Sequence, residues 1–302
     1  MSILARVFSA VHFALIPTVV HEGDLQRANS VSSFTTNAAY AAGSFLSALL
    51  IAKLGWASII IMTVGFFGGG AVLSCILPTT PTAPAIVHGS ILGRTVKSLR
   101  SAIDIVRAAP RIMVCMTLAA VASLVCGTVS LLPVYIKNEL GKTVIQYGLV
   151  EGLSVVGAVL SSLILARVIV THPYRAMQVS VAAIACAVLW FGTGLHVLTL
   201  VVARMIIALA LGVFNILFVT EFHRLLPSDY RGRVFSLSYI VSTVPYMLAT
   251  AGAGTAAEFV PFWVVWTVAG CIGLAGVGFC SWFLCKAHEV SKARLQSQIY
   301  RE

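Results

Sequence analysis

The chain has 302 residues, of which 59% are hydrophobic and only 10% charged, with a mean hydropathy of +0.97 and a formal net charge of +10. A soluble domain cannot bury that much continuous apolar surface, so a globular water-soluble protein is excluded. The positive charge does not point to nucleic acid, because Lys and Arg are split among short segments and form no compact basic module.

In chain order, the first apolar stretch is Ser2–Val20, a marginal span because Arg6 sits inside it. It resembles a signal peptide superficially, but Thr18 to Glu22 offers no small-x-small cleavage site. Asn29–Ala52 and Trp56–Leu77 follow, each long enough to cross a bilayer core, which takes about 20 helical residues. Pro78, Pro81 and Pro84 then break the pattern. Beyond them Leu92, Val96, Leu99, Ile103 and Val106 recur at three- and four-residue spacing, with Arg94, Lys97, Ser101 and Asp104 opposite. That pattern predicts an amphipathic helix, either with its basic face toward an anionic leaflet or as a solvated linker. Six further stretches follow: Ile112–Tyr135, Ile145–Val170, Ala176–Leu195, Val197–Phe222, Val234–Ala257 and Phe262–Cys285. The expected fold is all-α and polytopic, with about nine transmembrane helices. Its parts are a partial bundle over 1–77, a linker over 78–111, a six-helix bundle over 112–285 and a basic tail over 286–302.

The charges give an orientation. Most of the 20 Lys and Arg residues fall in alternate loops, on the side of Arg27, Arg100, Arg107, Arg167, Arg175, Arg224, Arg231 and Arg233. Arg6, Lys53, Lys137 and Lys142 fall on the other side. The richer side is expected to be cytoplasmic, which puts the C-terminus inside.

Nothing in the sequence reads as an active site. The seven His residues never pair at metal-ligand spacing, and no nucleophile elbow or H-E-x-x-H string occurs. The seven Cys residues sit in or beside apolar spans without a C-x-x-C and read as small packing hydrophobes. No metal, cofactor or catalytic residue is expected. The glycines Gly65, Gly68, Gly69 and Gly70, Gly252 and Gly254, and Gly270 through Gly278 read as points of close helix approach.

Polar residues at helical spacing are more informative, because unpaired polar groups are costly in lipid. Ser33, Asn37, Tyr40, Ser44 and Ser47 share one face of their span, and Ser238, Ser242, Tyr246 and Thr250 share one face of theirs. These faces are expected to line a cavity, the alternative being local helix packing. Asn215 lies mid-span, suited either to the cavity or to a helix–helix hydrogen bond. Glu151 and Arg204 lie one and two turns into their spans, where they either snorkel to the outer surface or carry a proton-coupling or substrate-charge role.

Two segments then carry a family resemblance. Leu15 to Ser33 and Thr220 to Ser238 both run from a span through an acidic–basic turn into a Ser-rich span start, with Asp24 aligned to Asp229 and Ser33 to Ser238. Phe8–Pro17 with Asp24–Ser30, and Gly212–Asn215 with Leu226–Leu237, resemble the fourth-to-fifth and tenth-to-eleventh helix junctions of the major facilitator superfamily. The closest branch is the enterobactin-exporter-like and macrolide-efflux-like one. The string Pro227-x-x-x-Arg231-Gly232-Arg233-Val234 is the most specific match, and the linker through Ala109-Pro110-Arg111 is similar as well.

The resemblance implies family helices four to six followed by seven to twelve, with helices one to three lacking a counterpart. It also implies switch loops carrying Asp24, Arg27, Arg167, Arg175, Asp229, Arg231 and Arg233. The loop Ala166–Arg175 has the Arg residues but no acidic one. The function implied is secondary transport: proton-driven efflux of a small amphiphilic molecule by alternating access in the cell membrane. A separate fragment supplying helices one to three is a possible partner. The alternative is a truncated, non-transporting membrane protein.

Overall fold

The computed structural model describes residues 16, 20–55, 57–76, 91–142, 144–193, 196–226 and 228–299. Among them every regular element is helical. A 3-10 turn at Glu22–Asp24 leads into α1 (Leu25–Leu54), followed by α2 (Ala57–Ile76) and the amphipathic α3 (Ile91–Ala108). Then come α4 (Pro110–Thr128), a 3-10 turn at Val129–Leu131, α5 (Leu132–Asn138), α6 (Val144–Arg167), α7 (Pro173–Phe191), α8 (Val197–Leu225), α9 (Ser228–Ala256) and α10 (Phe262–Ile299). Among the described residues six segments are long and apolar enough to cross a membrane: Pro110–Asn138, Gln146–Arg167, Pro173–Phe191, Val197–Leu225, Tyr230–Ala256 and Phe262–Leu284. The chain is thus a helix bundle of the multi-pass membrane type. These six correspond to the last six expected spans, and α1 and α2 to the two before them. The expected span Ser2–Val20 lies almost entirely outside the described residues.

One boundary differs slightly from expectation, and one helix runs on past its span. Pro110 opens α4, so the bundle starts two residues before Ile112; proline suits a first helical turn, whose N–H groups have no partner anyway. The last apolar segment ends at Leu284, one residue from the expected boundary, and its helix runs on through the basic tail to Ile299.

Packing within the six-helix bundle depends on close approach. A Cβ on Gly157 would strike the carbonyl of Met205, and one on Gly212 would strike Ser161 Oγ, so α6 and α8 meet through small residues as membrane helices do. Gly270, Gly273 and Gly276 meet Leu189, Ala185 and Val121, which seats α10 on α7 and α4 as expected. The expectation fails for Gly65, Gly68, Gly69, Gly70, Gly252, Gly254 and Gly278: among the described residues a Cβ there would meet no atom within 4 Å. Their helix faces point outward, and Ile61, Phe66 and Phe67 beside them are also exposed, the surface a lipid-facing helix presents.

The first spanning segment is interrupted where α4 gives way to the 3-10 turn. Pro133, near the start of α5, has no N–H to continue the hydrogen-bond ladder. Trp266 is fully buried there and donates its Nε1–H to the Thr128 carbonyl at 3.2 Å. Tyr135 and Phe191 pack edge-on against the same indole, with centroids 4.9 and 5.4 Å away.

Helix α3 is amphipathic as expected. Ala102 and Val106 are buried in the core cluster, with Leu99, Ile103 and Ile105 packed against it, so the apolar face docks on α9 and α4. Arg100 and Arg107 remain exposed on the other side.

Candidate functional site

Helix α1 lies against α6 and α8, and a row of polar side chains forms the seam. Gln26, buried at the start of α1, donates from Nε2 to the carbonyls of Leu165 (3.0 Å) and Val168 (2.6 Å). Its Oε1 accepts the N–H of Val170 at 3.1 Å. One turn along, Asn29 Nδ2 donates to Thr220 Oγ1 at 2.9 Å. Ser162 donates to Ser33 Oγ at 3.1 Å, and Asn37 Nδ2 reaches Ser33 Oγ at 3.3 Å and the Ala158 carbonyl at 3.4 Å. Positions 26, 29, 33 and 37 recur every three or four residues, so one face of α1 carries the whole row.

Beside the seam lie two cavities. The first, about 570 Å³, is walled by α1, α4, α8 and α9 and lined by Ser33, Asn37, Asn215, Ser238, Ser242 and Tyr246, all expected at the site. Asn29, Ser32, Thr36, Ser123, Tyr239 and Thr243 also line it and were not anticipated. Stepping back from Ser33 by helical turns would have found Asn29 and Gln26. Ser123 stands alone on α4 and carries no periodic signal. The second cavity, about 750 Å³, lies between α1, α6 and α8 and includes Tyr40, Glu151 and Arg204. Ser33, Asn37, Leu211 and Asn215 line both.

Glu151 and Arg204 do not snorkel separately. Arg204 Nε donates to Glu151 Oε1 at 2.9 Å and a terminal nitrogen donates to Oε2 at 3.0 Å, a two-point pair between α6 and α8 that is largely shielded. Such forked geometry matches guanidinium to carboxylate and binds more strongly than a single contact. Sequence reading missed the pairing because the partners lie 53 positions apart.

The expected switch-loop residues are less uniform. Asp24 and Arg27 form an exposed 3.8 Å pair, a geometry that contributes little. Arg231 is tied down: Nε donates to the Leu226 carbonyl and a terminal nitrogen to the His223 carbonyl, both at 3.0 Å, satisfying the end of α8. Arg233 lies over the Tyr230 ring at 5.8 Å. Arg167 and Arg175 are exposed. The side chains of Ser44 and Asp229 lie outside the described residues. Among the cysteines, Cys115 and Cys280 pack in the core, whereas Cys186 and Cys271 are exposed and so do not serve as packing residues. Cys126 lines the first cavity.

This arrangement can bind and orient a solute through hydroxyl and carboxamide groups. Among the described residues no cluster of His, Cys, Asp or Glu suits a metal ion. Compared with protein-family models and with curated proteins, the chain matches none.

Proposed function

We propose that this chain is a secondary transporter that moves a small amphiphilic solute across the cell membrane by alternating access. The observation that carries the reading is the polar cavity between α1 and the six-helix bundle, bounded by Ser33, Asn37 and Asn215 on two sides and Ser238, Ser242 and Tyr246 on a third. Polar groups in a membrane bundle are costly unless they pair or line a water-filled path, and mid-membrane sites at a bundle interface are the usual solution. The family resemblance of the two junction segments supports the same reading and supplies its direction, export, and its driving ion, the proton.

In this reading α1 and α2 form one side of the rocking unit and the six-helix bundle the other. The Gln26 contacts close the end where basic residues gather, the cytoplasmic end, which also holds the C-terminus. Glu151 and Arg204 are the coupling residues in this reading, held together by their two-point contact between α6 and α8. A separate segment supplying three more helices would cover the outward face of α1, where Val31 and Phe34 are exposed.

The test is uptake of a fluorescent amphiphile into inverted vesicles containing the protein, with and without a protonophore. Proton-dependent accumulation, lost in Asn215→Trp, is the expected result. No accumulation, alone or with a co-expressed three-helix fragment, would favour a non-transporting membrane protein instead.

A further inference from the structure

We infer that the cavity between α1, α4, α8 and α9 takes an uncharged solute carrying hydroxyl or N–H donors on a ring-bearing apolar body, with Asn29 Oδ1 as its buried acceptor. The substrate class deepens the transport reading and rests on it for physiological meaning, though the binding itself does not.

Charge comes first. More than half of the lining side chains carry a hydroxyl or a carboxamide, and none is Asp, Glu, Lys, Arg or His. The ionic groups of the adjoining cavity are Glu151 and Arg204, and they neutralise each other through two short contacts. A net-charged solute entering this low-dielectric space would lose its hydration and meet no counter-charge. An uncharged solute would exchange water for hydroxyl and amide partners at little cost.

Asn29 adds a direction. Thr220 has one hydroxyl proton and donates it to the Ile216 carbonyl at 2.7 Å, so towards Asn29 it can only accept. That fixes the carboxamide: nitrogen faces Thr220 at 2.9 Å, and oxygen faces the other way. Asn29 is 4% exposed and lines the cavity, and among the described residues its Oδ1 has no hydrogen-bond partner. A buried acceptor left unsatisfied is costly, and a hydroxyl or N–H from a bound solute satisfies it. Phe214, Phe218 and Phe235 join Leu211, Ile216 and Val219 in the apolar part of the wall, with Phe214 and Phe218 stacked at 5.7 Å. They suit a ring or short hydrocarbon body rather than a fully hydrophilic one.

Three probes sharing one aromatic ring separate the possibilities: p-nitrophenyl β-glucoside (uncharged), p-nitrophenyl phosphate (anionic) and phenyltrimethylammonium (cationic). Equilibrium dialysis against the full chain in lipid nanodiscs should show saturable binding of the glucoside, at least about tenfold tighter than either ion. Asn29→Leu should weaken it by about fivefold or more. Asn215→Leu, which removes a wall amide outside the α1 seam, should weaken it similarly should Asn29→Leu fail to fold. Equal or tighter binding of either ion, absence of saturable glucoside binding, or unchanged affinity in a folded Asn29→Leu overturns the inference. Glucoside binding without vesicle transport removes the transport reading and leaves this one standing. Transport of a charged dye without glucoside binding does the reverse.

Discussion

Val170, just past the end of α6, donates its backbone N–H to the side-chain oxygen of Gln26 across 144 positions of sequence. The same carboxamide donates to Leu165 and Val168, so one buried side chain satisfies three backbone groups where a helix ends. Replacing it with Leu keeps the bulk and removes all three bonds, at a cost of about 1–3 kcal/mol. The expected readouts are a lower unfolding temperature in Gln26→Leu and faster alkylation of Cys126, which lines the cavity, by a reagent added from the basic end. Unchanged labelling would show that these contacts do not close that end.

The Glu151–Arg204 pair predicts strong coupling. Removing either partner leaves a shielded charge without its counter-ion, so Glu151→Gln and Arg204→Met should each destabilise by more than the pair is worth. A double-mutant cycle on thermal unfolding should return an interaction of about 1–3 kcal/mol. Under the transport reading, Glu151→Gln should abolish proton-driven accumulation while preserving solute exchange down a gradient. Additive single effects would mean the two residues act independently.

Close approach of α6 and α8 predicts an asymmetry among glycines. Gly157→Leu forces a side chain into the Met205 backbone, and overpacking of this kind costs about 1–3 kcal/mol or more. Gly68→Ala meets nothing within 4 Å among the described residues and should be neutral or slightly stabilising, since alanine favours helix. Thermal denaturation in detergent compares the two directly.

Trp266 anchors the interrupted first spanning segment. Trp266→Phe keeps most of the aromatic packing but loses the donor to the Thr128 carbonyl, a loss of about 1 kcal/mol. Trp266→Ala should cost about 3–5 kcal/mol by emptying a fully buried site. Equal effects of the two substitutions would mean that the hydrogen bond, not the packing, dominates.

Orientation is testable with single cysteines. Arg107 and Lys142 are both exposed and belong to oppositely placed segments. With the basic side cytoplasmic, Arg107→Cys should react with an impermeant maleimide only in inverted vesicles, and Lys142→Cys only in right-side-out ones. The reverse pattern would invert the topology.

The sequence alone determined that the described residues are helical, where the last six long apolar helices run, and which polar residues of α1 and α9 recur on one face. Those features are periodic and local: an apolar run of about 20 residues, or a hydroxyl every turn, is a property of one segment. Only the tertiary structure decided which polar groups find partners. Glu151 found Arg204, Gln26 found the end of α6, and Asn29 was left with a buried unpaired oxygen. The glycines divide in the same way: Gly157 and Gly212 sit under a neighbouring helix, and Gly68 and Gly69 face outward. A glycine reads the same in sequence whichever surface it meets. What it does depends on how helices far apart in the chain are rotated and stacked, and no single segment encodes that.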